Sequence, residues 1–247
     1  MEFDCAKLTL AGNREENQDC VDIATIASSV LIIVVDGMGG HAAGAQASQL
    51  TIETVNRYFA ALEHPVLDPQ GFLTAALAQA HERVVDLGDG IALEQRPRAT
   101  CAACLVQDGN AYWAHVGDSR MYHLRAGAVR HRSRDHSHVE LLLREGLIGE
   151  HEAKSHPMRN FVECCLGGDR PLPDMSVTAR KSLLPGDVLM ACTDGLWTGV
   201  DDDRIASLSA ADANLERELR TLAEDAVTSN SPHSDNTSAA ALRWLGT

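Results

Sequence analysis

Basic side chains are scarce in this sequence, 21 lysines and arginines against 35 acids, for a formal charge of −14. A nucleic-acid backbone is repelled by such a surface, which removes DNA and RNA from the expected partners. The same field opposes any phosphorylated ligand unless cations offset it locally. Long apolar runs are missing as well: residues 30–35 form an uninterrupted run, far short of the ~20 residues that a membrane-spanning helix needs. The start, Met1-Glu2-Phe3-Asp4, has neither the basic nor the apolar region of a signal peptide. No internal repeat, low-complexity tract or Gly/Ser/Pro-rich linker interrupts the chain. These absences predict a cytoplasmic, monomeric protein with no membrane partner, folded as a single domain over residues 1–247.

What is present is ordinary for a soluble globular chain: 45% hydrophobic and 23% charged residues in 247. Seven cysteines, an odd number scattered through apolar segments, read as reduced core thiols rather than a disulfide framework. The β-branched run 30–35 predicts a buried strand, ended by Asp36-Gly37. Apolar residues then recur at helical spacing, first through Ala47, Leu50, Val55, Tyr58, Phe59 and Leu62, then through Leu73, Leu77, Ala80, Val84 and Leu87. Segments 100–107 and 111–116 flank Asp108-Gly109-Asn110, a hairpin signal, and 121–124 with 129–132 flank Ala126-Gly127. Helical patterns return at 138–145, 150–155 and 215–227, with strand patterns at 175–182, 188–192 and 238–244. Hairpins outnumber βαβ units, so the expected class is α+β with antiparallel sheets.

Several aspartates stand where an apolar strand stops: Asp36, Asp118, Asp194 and Asp235, with Asp19 near the first strands. Each alone is a common turn former, because Asp hydrogen-bonds its own backbone. Gathered at one rim of a sheet, they would raise one another's pKa unless a cation neutralised them. A set of hard oxygen ligands suits Mg²⁺ or Mn²⁺ rather than Zn²⁺.

Arg14-x-x-Asn17-x-Asp19, Asp36-Gly37-Met38-Gly39-Gly40-His41, Gly117-Asp118-Ser119-Arg120, Thr193-Asp194-Gly195 and Ser234-Asp235-Asn236 occur in order. In content and spacing they resemble the bacterial metal-dependent protein phosphatases of the protein phosphatase 2C family. The stretch from Asp135-His136-Ser137-His138-Val139 to His156-Pro157-Met158-Arg159-Asn160 is similar to that family's flap, about residues 133–170. The resemblance implies a four-layer α-β-β-α sandwich with a metal centre at one end. It implies that Asp36 bridges two Mn²⁺ or Mg²⁺ ions and that Gly37 offers its carbonyl. Asp194 and Asp235 would bind one ion, with Asp19 near the second, directly or through water, and Asp118 in a third, weaker site. Arg14 would hold substrate phosphate, and a metal-bridged water would attack phosphorus directly. The implied activity is hydrolysis of phosphoserine and phosphothreonine in proteins, in a pathway shared with a Ser/Thr kinase. The proton for the leaving alkoxide has two candidate sources, His41 and a metal-bound water.

Departures are mild: Gln18 stands where many members carry Glu, Arg98-Ala99-Thr100 replaces a Gly-Thr pair, and Asn236-Thr237-Ser238 lacks an apolar residue after Asn. A catalytically weak phosphoprotein-binding module of the same fold is the alternative, opposed by the intact Arg14, Asp36, Asp194 and Asp235. Three other motifs lead elsewhere. Cys164 and Arg170 have the Cys-x₅-Arg spacing of a cysteine-dependent phosphatase, but Glu163 and Asp169 spoil an anion cradle. Cys101 and Cys104 are three apart on a strand, which points them to opposite faces and away from a shared zinc. His131, His136, His138, His151 and His156 read as flap residues near substrate or as solvated loop histidines, the second being the commoner fate of a loop. There is no Lys-Ser/Thr after the 37–44 glycines and no Gly-x-Ser-x-Gly elbow.

Overall fold

The computed structural model describes residues 2–39, 42–210 and 213–246. In chain order these form β1 (Glu2–Leu10), β2 (Asp19–Ile26), β3 (Ser29–Met38), α1 (Ala42–Ala60), α2 (Pro69–Leu87), β4 (Arg98–Ala99), β5 (Cys101–Gln107) and β6 (Asn110–Val116). They continue with β7 (Arg120–Arg125), β8 (Ala128–Arg132), α3 (His138–Arg144), α4 (Glu150–Ser155), β9 (Leu166–Gly167), β10 (Ser176–Val177) and β11 (Lys181–Ser182). The chain closes with β12 (Val188–Cys192), α5 (Asp194–Trp197), α6 (Asp202–Ala206), α7 (Leu215–Asn230) and β13 (Thr237–Gly246). One antiparallel sheet has the order β1-β13-β12-β7-β8, and the other runs β10-β6-β5-β3-β4-β9, with β2 on β3 and β11 on β6.

The apolar run of β3 shows why the layers stack as they do. Side chains alternate across a strand, and here both faces are covered. Val30, Ile32 and Val34 join Cys104, Trp113, Leu189 and Leu242 between the sheets. Leu31, Ile33 and Val35 meet Val55, Phe59, Leu73 and Leu77 on the helix side. On the outer face of the other sheet, Tyr122, Met190 and Ala241 pack on Leu219 and Leu222 of α7. Each such fully buried aliphatic side chain contributes roughly 1.5–3 kcal/mol. The result is the expected α-β-β-α sandwich. Cys101 lies in the helix-side core and Cys104 between the sheets, the opposite-face placement predicted from their spacing.

Both hairpin signals hold, and for a local reason. Asp108 and Gly109 have φ of +49° and +67°, and Ala126 and Gly127 +50° and +75°. Two consecutive left-handed residues make the tight turn whose twist matches the flanking strands. Helix α2 starts where Asp68 accepts the Gly71 N–H at 3.0 Å, with Pro69 at its first position.

Two expectations need correcting. Asp36-Gly37 does not end β3, which continues to Met38: the Gly37 N–H reaches the Gln18 carbonyl at 3.1 Å and the Thr100 N–H the Asp36 carbonyl at 2.9 Å. Segment 175–182 is not one strand but two short ones, β10 and β11, both on β6. Between them the Thr178 hydroxyl accepts the Trp113 N–H at 3.1 Å and takes the place of a main-chain acceptor. Strands β1 and β2 escaped prediction, being mixed in polarity and mostly exposed or half-buried. Residues 133–165 leave the sheets between β8 and β9 as an excursion holding α3, α4 and a Ser137–Val162 bridge. Among the described residues no helix is long and apolar enough to cross a membrane.

Candidate metal centre

Asp19 and Asp36 face each other as cross-strand partners on β2 and β3, so two of the acids are neighbours by register alone. The others are brought in by contacts between their sequence neighbours. The Gln18 N–H donates to Asn236 Oδ1 at 2.8 Å, tying the residue before Asp19 to the residue after Asp235. The Thr193 hydroxyl, beside Asp194, donates to Asp19 Oδ2 at 2.8 Å. The indole N–H of Trp197, three residues after Asp194, donates to the Asp118 carbonyl at 3.0 Å. Glycines allow the segments to close up: a Cβ at Gly37 would run into the Gly44 carbonyl, and one at Gly195 into that of Asn236. Asp19, Asp36, Asp118, Asp194 and Asp235 thus converge from separate segments on one end of the sandwich.

The electrostatics follow from that crowding. Asp19 and Asp118 are 7% and 5% exposed, while Asp36, Asp194 and Asp235 keep part of their surface open. Burial, then the neighbouring Asp19, Asp194, Asp118 and Asp235, holds the Asp36 carboxyl well above the usual carboxylate range. Burial likewise raises Asp118, reinforced by Asp194 and Asp135. Asp19 is pushed up to about 7 by burial, against the hydroxyls of Thr193 and Ser238, and Asp194 to about 6 by burial and Asp235. Buried acids crowded in this way suit a cation of high charge.

Arg14 stands at the edge, its guanidinium 2.7 Å from Asp235 Oδ2, with both side chains substantially in water. Among the described residues no three acidic, His or Cys side chains already surround one point as a complete metal cage. Asp235 is engaged by Arg14 and Asp19 by Thr193. The donor set nevertheless fits a hard divalent cation: every candidate ligand is an oxygen, and the clustered negative charge lacks only compensation. His41 and Gly40 lie outside the described residues.

Several contributors lie in quoted motifs but have no site role assigned from sequence. Thr100 accepts the Asp36 N–H at 3.3 Å and shares a hydrogen bond of 2.6 Å with Ser119. Arg120 forks onto Asp135 at 2.8 and 2.7 Å and lies 3.5 Å over the Trp197 ring. His136 is half-buried, stacked on His115 with centroids 4.7 Å apart; burial and then His115 push it down to about 4. It is therefore no solvated loop histidine, whereas His138 pairs with Glu163 at 2.8 Å in partial exposure. Cys164 is raised above the ordinary thiol by burial, and the Arg170 guanidinium lies 3.6 Å from Asp89. A cysteine-dependent phosphatase needs the reverse, a lowered thiol beside its arginine.

A family profile described as protein phosphatase 2C matches residues 11–231. The serine/threonine protein phosphatase PstP of Mycobacterium tuberculosis is 34% identical over 197 residues, 78% of this chain and 36% of that longer protein. A solved serine/threonine phosphatase of S. agalactiae superposes with a TM-score of 0.87 at 28% identity, covering 99% of this chain and 100% of that one. The catalytic domain of PstP, solved with two manganese ions, has a TM-score of 0.81 at 26% identity and covers 99% of each chain. With a matching sandwich and acids gathered at its end, the chain belongs to the protein phosphatase 2C family and is a serine/threonine protein phosphatase.

Proposed function

We propose that the chain, as one domain over residues 1–247 with a flap at about 133–170, hydrolyses phosphoserine and phosphothreonine in proteins at the acidic end of its sandwich. The carrying observation is that Asp36, Asp19, Asp118 and Asp194 gather at one end of the sandwich, where burial first and neighbouring acids second raise their carboxyls. In this reading Asp36 would help to hold two Mn²⁺ or Mg²⁺ ions, with Gly37 contributing its carbonyl. Asp194 and Asp235 hold one ion, Asp19 supports the other, and Asp118 serves a third, weaker position. Two divalent ions bound there supply charge neutralisation and water activation at neutral pH.

The chain's own side chains do the rest. Arg14, at the open edge, swings from Asp235 to present its fork to two phosphate oxygens and stabilises charge spreading over them. Thr193 fixes which oxygen of Asp19 faces the site. His41 or a water delivers the proton to the leaving alkoxide. The substrates are phosphoproteins of a cytoplasmic Ser/Thr kinase pathway, and the protein acts as a monomer. EDTA is expected to abolish hydrolysis of a phosphopeptide, Mn²⁺ to restore it, and thiol alkylation to change little. Loss on alkylation with indifference to EDTA would overturn the proposal in favour of Cys164.

A further inference from the structure

The turn carrying Asp118 links β6 of one sheet to β7 of the other and is held by groups outside both strands. His136, at the root of the 133–165 excursion, grips Gly117 twice. Its backbone N–H donates to the Gly117 carbonyl at 2.9 Å, and its ring Nδ1 accepts the Gly117 N–H at 3.3 Å. On the far side of Asp118, the Trp197 indole donates to the Asp118 carbonyl at 3.0 Å. The peptide groups flanking the Asp118 Cα are therefore pinned from both directions. Gly117 has φ of +93°, and a Cβ there would strike Thr100, so this backbone has little room to rearrange.

The gripping ring is itself fixed. His136 Nε2 lies 2.8 Å from the Ser176 hydroxyl, and its face stacks on His115, whose own Nε2 lies 2.7 Å from the Arg134 carbonyl. A backbone N–H can donate to Nδ1 only where that nitrogen has its lone pair, which sets the proton on Nε2 facing Ser176. Beside His136, Asp135 receives the Arg120 fork. The root of the excursion thus grasps both ends of the turn 117–120.

We infer that His136 is a positioning residue that aims the Asp118 carboxylate at its cation through the Gly117 peptide. The inference rests on the proposed metal role of Asp118. Ligand aim is commonly set one shell out from a metal, and loss of such a partner costs about 10–100-fold in affinity.

The test is calorimetric titration of the whole protein with Mn²⁺, alongside melting in EDTA. His136→Asn places an amide oxygen near the Nδ1 position and keeps an acceptor for the Gly117 N–H. His136→Gln places its polar end near Nε2 and loses that acceptor. With similar melting points in EDTA, Gln is expected to weaken the weaker Mn²⁺ site about 10–100-fold and spare the tight sites, while Asn stays within about threefold of the parent. Equal isotherms for Asn and Gln would overturn the inference. Asp118→Asn, run in parallel, is expected to abolish the weaker site. An unchanged isotherm there would remove the metal role of Asp118 and the inference with it, whereas loss for Asp118→Asn but not for His136→Gln would overturn the positioning role alone.

Discussion

Strand β12 begins just after a buried acid, Asp187, and ends just before a partly open one, Asp194; seven residues at ~3.3 Å each put them roughly 23 Å apart. At the Asp187 end the protein supplies its own cations. Arg125 forks onto the carboxylate at 2.5 and 2.7 Å, His123 Nε2 lies 2.9 Å away, and the Leu184 N–H adds a bond of 2.9 Å. Burial works against ionisation there, but Arg125 and the other partners outweigh it and hold Asp187 below the usual carboxylate range. At the Asp194 end, burial and neighbouring acids act in the same direction and the carboxyls rise. The first arrangement closes a turn on the sheet. The second gathers carboxyls that the proposed cations would offset, which sets the rim acids apart from the structural carboxylate of Asp187.

The sharpest way to break that contrast is Asp36→Asn. With saturating Mn²⁺, phosphopeptide hydrolysis is expected to fall at least about a thousandfold, roughly 4 kcal/mol at 1.36 per decade. Asp118→Asn should lose only about tenfold, because Asp36 is proposed to touch both core ions. In EDTA the same Asp36→Asn protein should melt higher than the parent, since one charge has left a cluster of like charges. Equal activity losses for the two variants, or a lower metal-free melting point, would dismantle the assignment of Asp36.

Asp187→Asn should behave in the opposite way. It leaves the Arg125 guanidinium and His123 facing a neutral amide, at about 2–3 kcal/mol of stability, tempered by the partial exposure of Arg125. Activity of the folded fraction should be retained. The pH dependence separates the two ends further. Asp19 and Asp194 sit at about 7 and about 6 instead of 3.8. Between 3.8 and those values the folded chain holds protons that the unfolded chain has released, so metal-free stability falls as pH rises through that window. Asp187, held low, stabilises above 3.8 and loses its contribution as pH drops beneath it. Denaturation in EDTA from pH 4 to 8 should therefore slope downward, and saturating Mn²⁺ should flatten it. His136 and His115, both held low by burial, pull the other way, so the deciding comparison is Asp19→Asn, which is expected to reduce the downward slope; an unchanged slope would contradict the elevation of Asp19.

The parts of this molecule legible in its sequence are those governed by near neighbours. Helices α1 and α2 follow from apolar spacing, and both hairpins from Asp108-Gly109 and Ala126-Gly127. The acids were legible as ordered motifs of a family. Register and cross-chain contact were not. Nothing local says that Asp36 lies within a strand opposite Asp19, because that pairing depends on the Gln18 carbonyl and on Thr100, 64 residues away. Nor does the sequence around Trp197 reveal that its indole holds the Asp118 turn, 79 residues upstream. The five candidate histidines illustrate the same boundary, since burial of His136 under His115 is a tertiary fact.

The smallest expected effect concerns Arg14, and its smallness in one measurement makes it informative in another. Its ion pair with Asp235 joins side chains 59% and 40% exposed, and exposed pairs contribute about 0–1 kcal/mol. Arg14→Ala should therefore shift the melting point by no more than a few degrees, as a chain of this size moves ~2–4 °C per kcal/mol. If the guanidinium instead engages substrate phosphate, KM for a small phosphate ester should rise about tenfold, close to 1.4 kcal/mol, with a lesser change in kcat. Arg14→Lys should recover part of the loss, because an ammonium keeps the charge but not the planar fork. Unchanged KM and kcat in both variants would confine Arg14 to its contact with Asp235 and leave phosphate recognition to the bound cations.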